Sequence, residues 1–121
     1  MDDKIISFRD LSVWQKSMDL SVLIYKITDN FPKHEIYGLT SQMRRSSSAI
    51  PCNIAEGRMR GTRKEYARFV NIAFSSGVEL ETQIELARRL KYLTDQEAEQ
   101  LVDLVTEIMK MLNGLQGSLR D

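Results

Sequence analysis

From Leu101 onward, the apolar residues fall at Leu101, Val105, Ile108, Met109, Leu112, Leu115 and Leu119. Steps of four and three put these side chains on one face of an α-helix, a pattern that the two-residue repeat of a strand cannot reproduce. Just before it, Thr94 and Glu97 have the spacing of a capping box, in which hydroxyl and carboxylate satisfy backbone donors freed at a helix start. The same rhythm occurs one element earlier in Tyr66, Val70, Ala73, Gly77, Leu80, Ile84 and Ala87, behind a second Thr-x-x-Glu formed by Thr62 and Glu65. Helices over about 63–91 and 95–119 are therefore predicted. The link at Lys91 to Leu93 is short, which favours antiparallel packing of the two.

Upstream, Asp10 reads as the N-cap of a helix over about 11–30. Leu11, Trp14, Met18, Tyr25 and Thr28 mark one stripe, with Leu20, Ile24 and Ile27 beside it. Pro32 breaks that helix, and a second over about 35–57 takes up Ile36, Leu39, Met43, Ile50 and Ile54. Gly57 and Gly61 then supply a C-terminal stop. No stretch alternates with period two over strand length. The expected fold is all-α, an antiparallel up-down-up-down four-helix bundle, and 121 residues suit one domain over 1–121.

The apolar arcs are wider than a narrow seam needs. Val13, Val22 and Leu23 on the first helix, Phe69, Ile72, Phe74 and Leu86 on the third, and Leu104 and Met111 on the fourth fall partly outside the stripes. A second buried face, and hence a homo-oligomer, is one reading; a broad core-facing stripe of a globular helix is the other.

Seventeen basic and seventeen acidic residues leave no net charge, so no whole-molecule field favours a nucleic acid or a membrane. Locally the balance differs. From Arg44 to Arg68 there are seven basic residues (Arg44, Arg45, Arg58, Arg60, Arg63, Lys64, Arg68) and two acids (Glu56, Glu65), which gives +5 there and −5 elsewhere. Cys52 is the single cysteine and His34 the single histidine, which excludes an intrachain disulfide and a cysteine-based zinc site. No apolar run approaches the roughly 18 residues a membrane span needs, and the start lacks a leader pattern; a cytoplasmic protein is expected.

The stretch "SSSAIPCN" holds the most unusual residues. A proline inside a helix removes one backbone hydrogen bond and crowds the preceding turn, at roughly 3 kcal/mol. Ser47, Ser48 or Asn53 can offer replacement bonds, and the serines with Ala49 let a neighbouring helix come close. A bent helix with a small-residue packing face is favoured over a ligand pocket at the serines. A serine nucleophile needs a base, and His34 lies roughly 18 Å along the helix axis from Ser46. "EGRMRGTRKEY" has glycines but no Gly-Lys-Ser/Thr and follows a helix instead of a strand, so it is not a phosphate loop. Glu79, Glu81 and Glu85 lack the Glu-x-x-His pairs of a di-iron bundle, and Glu81 and Glu85 fit surface pairs with Arg88 and Arg89. The residues thus point to no enzyme, no metal and no cofactor.

The arginines remain. Arg58, Arg60, Arg63, Lys64 and Arg68 gather around the turn between the second and third helices, where they can meet successive phosphates of a nucleic acid, or can simply be solvated surface. Arg44 and Arg45 lie more than two turns earlier, where inter-helix or inter-subunit salt bridges with acids such as Glu79 or Asp19 compete with phosphate contact.

Three segments carry a resemblance: "FRDLSVWQKSMDL", "YKITDNFPKHEIYGLTSQMRRSSSAIPCNIAEG" and "RKEYARFVNIAFSSGVELETQIELARRLKYL". Together, from about Phe8 to Leu93, they resemble the four-helix-bundle proteins encoded within intervening sequences of bacterial 23S ribosomal RNA genes, often called ribosomal-protein-like. Val-Trp-Gln-Lys with Trp14, Tyr-Gly-Leu-x-Ser-Gln-x-Arg-Arg, and Ile-Pro-x-Asn-Ile-Ala-Glu-Gly with Pro51 and Gly57 are the composite motifs. The resemblance implies an antiparallel four-helix bundle that assembles into a ring-like homopentamer, with no catalytic residues. In shape that pentamer is similar to the accessory protein of diversity-generating retroelements, a basic barrel that binds nucleic acid and a reverse transcriptase. The neutral charge of this chain departs from that protein. RNA or a nucleic-acid-processing protein is the partner the resemblance suggests.

Overall fold

The computed structural model describes residues 7–120. Four α-helices follow one another, α1 (Ser12–Thr28), α2 (Leu39–Arg58), α3 (Arg63–Arg89) and α4 (Asp95–Ser118), with single 3-10 turns at Phe8–Asp10 and Lys33–Glu35. No strand occurs among the described residues. Each helix packs on its chain neighbours and α4 closes back onto α1, while the diagonal pairs α1–α3 and α2–α4 stay apart among the described residues. That is a four-helix bundle of the all-α class.

The α3 and α4 seams predicted from spacing face the core. Val70, Ala73, Leu80, Leu101, Val105, Ile108 and Leu112 are fully buried there, whereas Leu115 and Leu119 at the end of α4 are only half buried. Thr94 forms the complete capping box: its Oγ1 accepts from Glu97 N–H at 3.0 Å, and Glu97 Oε1 accepts from Thr94 N–H at 2.9 Å. At α3 only half of that motif forms. Thr62 Oγ1 accepts from Glu65 N–H, and the Glu65 carboxylate turns to Arg68 instead.

Four expectations for α1 and α2 require correction. The N-cap of α1 is Leu11, which has no side-chain cap, because Asp10 is taken up in the preceding 3-10 turn. The core stripe of α1 runs through Val13, Ser17, Leu20, Ser21, Ile24, Ile27 and Thr28, so Met18 and Tyr25 lie outside it and are exposed. Trp14 is half buried and meets Phe8 edge-on at 5.4 Å. The physical reason is that serine serves as a packing residue here: Ser21 Oγ and Ser47 Oγ hydrogen-bond across α1 and α2 at 3.3 Å, and Ser17 Oγ donates to the Val13 carbonyl. Small hydroxyl residues satisfied by local carbonyls bury at little cost and carry no apolar signature.

Helix α2 begins at Leu39, four residues after the expected start, because the chain first turns through Lys33–Glu35. Glu35 Oε1 accepts from Leu39 N–H at 3.0 Å, so this carboxylate caps the helix from outside it. Pro51 sits inside α2, buried, and the helix is continuous to Arg58. Ser47, Ser48 and Asn53 donate to the carbonyls of Arg44, Arg45 and Ala49, none of them to that of Ser47. Gly57 is also not a stop. It is buried within the helix, where a Cβ would meet Phe69 Cβ at 2.6 Å, so its role is to let α2 and α3 touch. Gly61, with φ 89°, makes the turn.

Candidate nucleic-acid interface

The turn between α2 and α3 is four residues long, and it brings all five predicted cations to one end of the bundle. Arg60, Arg63, Lys64 and Arg68 are exposed and Arg58 is half buried. Arg60 Nη2 pairs with Glu56 Oε2 at 3.0 Å, and Arg68 binds both oxygens of Glu65 at 3.2 and 3.3 Å. The Arg68 hydrogen bonds are the main reason the Glu65 carboxyl is held below its ordinary pKa. Arg58 and Lys64 form no ion pair with any described residue. The cluster therefore keeps a positive excess.

An aromatic ring organises part of it. The guanidinium carbons of Arg60 and Arg68 lie 4.8 and 4.5 Å from the centroid of Phe69, itself buried at the joint of α2 and α3. Sequence reading missed this role for Phe69; the available signal was an aromatic residue beside Arg68 and at the start of a helix facing Arg60. Next to it, Arg58, Arg63, Tyr66 and Leu119 line a shallow hollow of about 230 Å³. Burial pushes the Tyr66 phenol above its ordinary pKa, against the opposing charge of Arg58.

Arg44 and Arg45 take no part in this cluster. Arg44 turns toward α1: Nη2 pairs with Asp29 Oδ1 at 3.0 Å, Nε donates to Thr28 Oγ1 at 3.0 Å, and the guanidinium lies 4.7 Å from the Tyr25 ring centre. Its acid is Asp29, at the end of α1, not Asp19 or Glu79. Arg45 is exposed and makes no ion pair with a described residue. On α3, Glu85 binds Arg88 and Arg89, which lowers its carboxyl to a pKa of about 2, with Arg88 the larger cause.

His34 is exposed, 3.9 Å from the Glu35 carboxylate, and Cys52 is an exposed free thiol. No three of His, Cys, Asp and Glu gather as metal ligands among the described residues. No described helix is long and apolar enough to cross a membrane.

No curated protein matches the chain. Among solved structures, the chain is similar to a protein of unknown function from the S23 ribosomal protein family of Bacteroides thetaiotaomicron VPI-5482. The two share 30% identity and a TM-score of 0.78, over 86% of this chain and 97% of that one. The sequence model of the 23S rRNA-intervening sequence protein family matches residues 9–114, which span all of α1, α2 and α3 and most of α4. With motifs, bundle and alignment in agreement over that length, the chain belongs to the 23S rRNA-intervening sequence protein family.

Proposed function

We propose that this is a non-enzymatic, homo-oligomeric helical-bundle protein that binds structured RNA through the turn between α2 and α3. The observation that carries the reading is the gathering of Arg58, Arg60, Arg63, Lys64 and Arg68 at one end of the bundle. Arg63 and Lys64 open α3, where the positive end of the helix dipole adds to their charge. Arg60 and Arg68, although paired, keep further N–H donors, since a guanidinium has five. RNA alone, or RNA together with a nucleic-acid-processing protein, is the partner.

The test is binding to 23S rRNA fragments across a salt series. Affinity should fall steeply with salt, and the logarithmic slope should shrink by about one for each phosphate-contacting cation replaced with Ala. A flat salt response, or undiminished binding by the variant with all five replaced, overturns the reading.

A second observation supports the oligomer. Between α1 and α2 runs an apolar groove of about 470 Å³ along Met18, Val22, Tyr25 and Pro51. Exposed apolar surface of this kind is best covered by another protein surface, and the family resemblance points to a ring-like homopentamer as what covers it. An adaptor with no RNA affinity would use the same groove for a different protein. Pull-downs with and without nuclease treatment separate the two, because only an RNA-bridged partner is lost on digestion.

A further inference from the structure

At the end of the bundle opposite the cation cluster, the passage from α1 into α2 encloses a hollow of about 250 Å³. Phe31, Pro32 and Ile36 give it apolar walls, and the buried Phe31 ring is braced by the Tyr92 ring at 5.3 Å. Thr40, in the first turn of α2, lines the hollow with only 2% of its surface exposed. Its Oγ1 forms no hydrogen bond with a described residue, yet it is not sealed from solvent as Gln83 Oε1 and Gln116 Oε1 are. A residue so deeply buried keeps accessible surface only where the hollow meets it, and the hydroxyl is presented there. Buried polar groups without a partner are rare in folded proteins, and a ligand acceptor supplies what this donor lacks.

Two cations and one acid, Lys33, Arg44 and Asp29, border the hollow, a local charge of +1. Arg44 is already fixed in place, because Nε donates to Thr28 Oγ1 and Nη2 to Asp29 Oδ1 and the Tyr25 carbonyl. Nη1 has no partner among the described residues, which leaves both of its N–H donors unused. A guanidinium held this way suits a carboxylate and loses little freedom in binding one. Glu35, the other acid of this turn, has its two oxygens taken by Leu39 N–H and Tyr92 Oη–H. A monoanion therefore balances the site, whereas a phosphate dianion overcharges it.

We propose that this hollow binds a small aliphatic monocarboxylic acid, its carboxylate accepting from Thr40 Oγ1–H and Arg44 Nη1–H and its apolar chain lying against Phe31, Pro32 and Ile36. Lys33, exposed at the rim, adds attraction for the charge. The volume is below the roughly 300 Å³ where drug-sized ligand sites begin, which suits an acid of a few carbons.

Butyrate is the probe, with ionic strength held constant by sodium chloride. In a titration of the full chain followed by NMR, millimolar butyrate should shift the backbone amide signals of Thr40 and Ser41 and the Arg44 Nε–H signal to saturation. Thr40→Val, which keeps the buried shape and removes the hydroxyl, should weaken this binding about fivefold or more. Lys33→Gln, at an exposed position outside the core, should weaken it by a smaller factor. The variant with all five cations of the α2–α3 turn replaced should bind butyrate as the parent does, so the hollow is tested apart from RNA binding. Unmoved signals at millimolar butyrate overturn the site. Inorganic phosphate bound as tightly as butyrate would overturn the choice of a monocarboxylate, and parental affinity in a Thr40→Val chain with unchanged circular dichroism would overturn the role of the hydroxyl.

Discussion

Glu35 ties three parts of the chain together with one carboxylate. Its Oε1 caps α2 through Leu39 N–H, and its Oε2 accepts from Tyr92 Oη–H at 2.9 Å, in the link between α3 and α4. Both bonds hold its pKa below the ordinary value of 4.5, the Leu39 bond more than the Tyr92 bond. A carboxyl whose folded-state pKa is depressed stabilises the fold above the unfolded pKa and loses that contribution as pH falls through the folded value. Glu35→Gln should therefore be less stable than the parent near neutral pH. The gap should close as pH drops from about 4.5 toward the lower folded pKa. Denaturant midpoints measured across that range check it, and a gap of constant size would show that the ionised carboxylate is not the cause. Gly57 gives the second prediction at this scale. Because Phe69 Cβ is 2.6 Å from where a Gly57 Cβ would stand, Gly57→Ala should force α2 and α3 apart and cost about 1–3 kcal/mol in chemical denaturation.

At the scale of the element, the end of α3 shows what composition hides. Lys91 adopts φ 68°, Tyr92 N–H donates to the Ala87 carbonyl at 2.9 Å, and Lys91 N–H donates to that of Arg88 at 3.0 Å. This is a Schellman termination with lysine at the left-handed position that glycine usually fills. Left-handed backbone costs a side-chain-bearing residue roughly 1–2 kcal/mol, partly offset by the extra freedom of glycine in the unfolded chain. Lys91→Gly should thus stabilise the protein by about 0.5–1 kcal/mol, read as a rise of a few degrees in Tm. An unchanged or lower Tm would mean that the lysine side chain contributes contacts that glycine gives up. Nothing in the residues around Lys91 marks this terminator, whereas α3 and α4 are clearly marked, since Val70, Ala73, Leu80, Ile84 and Ala87 on α3 and every buried position of α4 are aliphatic or Met. Helix α1 was shifted by one stripe because Ser17 and Ser21 occupy core positions and apolar Met18 and Tyr25 do not. The start of α2 was missed because its cap, Glu35, acts from four residues upstream of Leu39. At the candidate site, the gathering of cations was legible from the short link expected between the second and third helices. The diversion of Arg44 to Asp29 was not, because that acid is 15 residues away on another element.

For the whole molecule, the wide apolar arcs divide into three groups. Val13 and Phe69 are buried within the chain, Leu23, Phe74, Leu104 and Met111 are half buried against the core, and Val22, Ile72 and Leu86 stay exposed, with Val22 and Leu86 at 51% and 48%. The exposed group is surface that a second copy can cover. Light scattering at micromolar concentration should therefore give a mass several times that of one chain, and Val22→Asp should lower it while the helical circular dichroism stays the same. A parent chain that runs as a clean monomer would refute self-association. Such an assembly would repeat the α2–α3 turn once per subunit, so weak sites on each copy would act together on one RNA. Within each copy, Phe69 has a further effect. With Arg60 and Arg68 both resting on its ring, two flexible cations have already given up much of their rotational freedom when the chain folds. Immobilising such a side chain on association costs roughly 0.5–1.5 kcal/mol, and these two present their charges to an arriving polyanion without most of that loss.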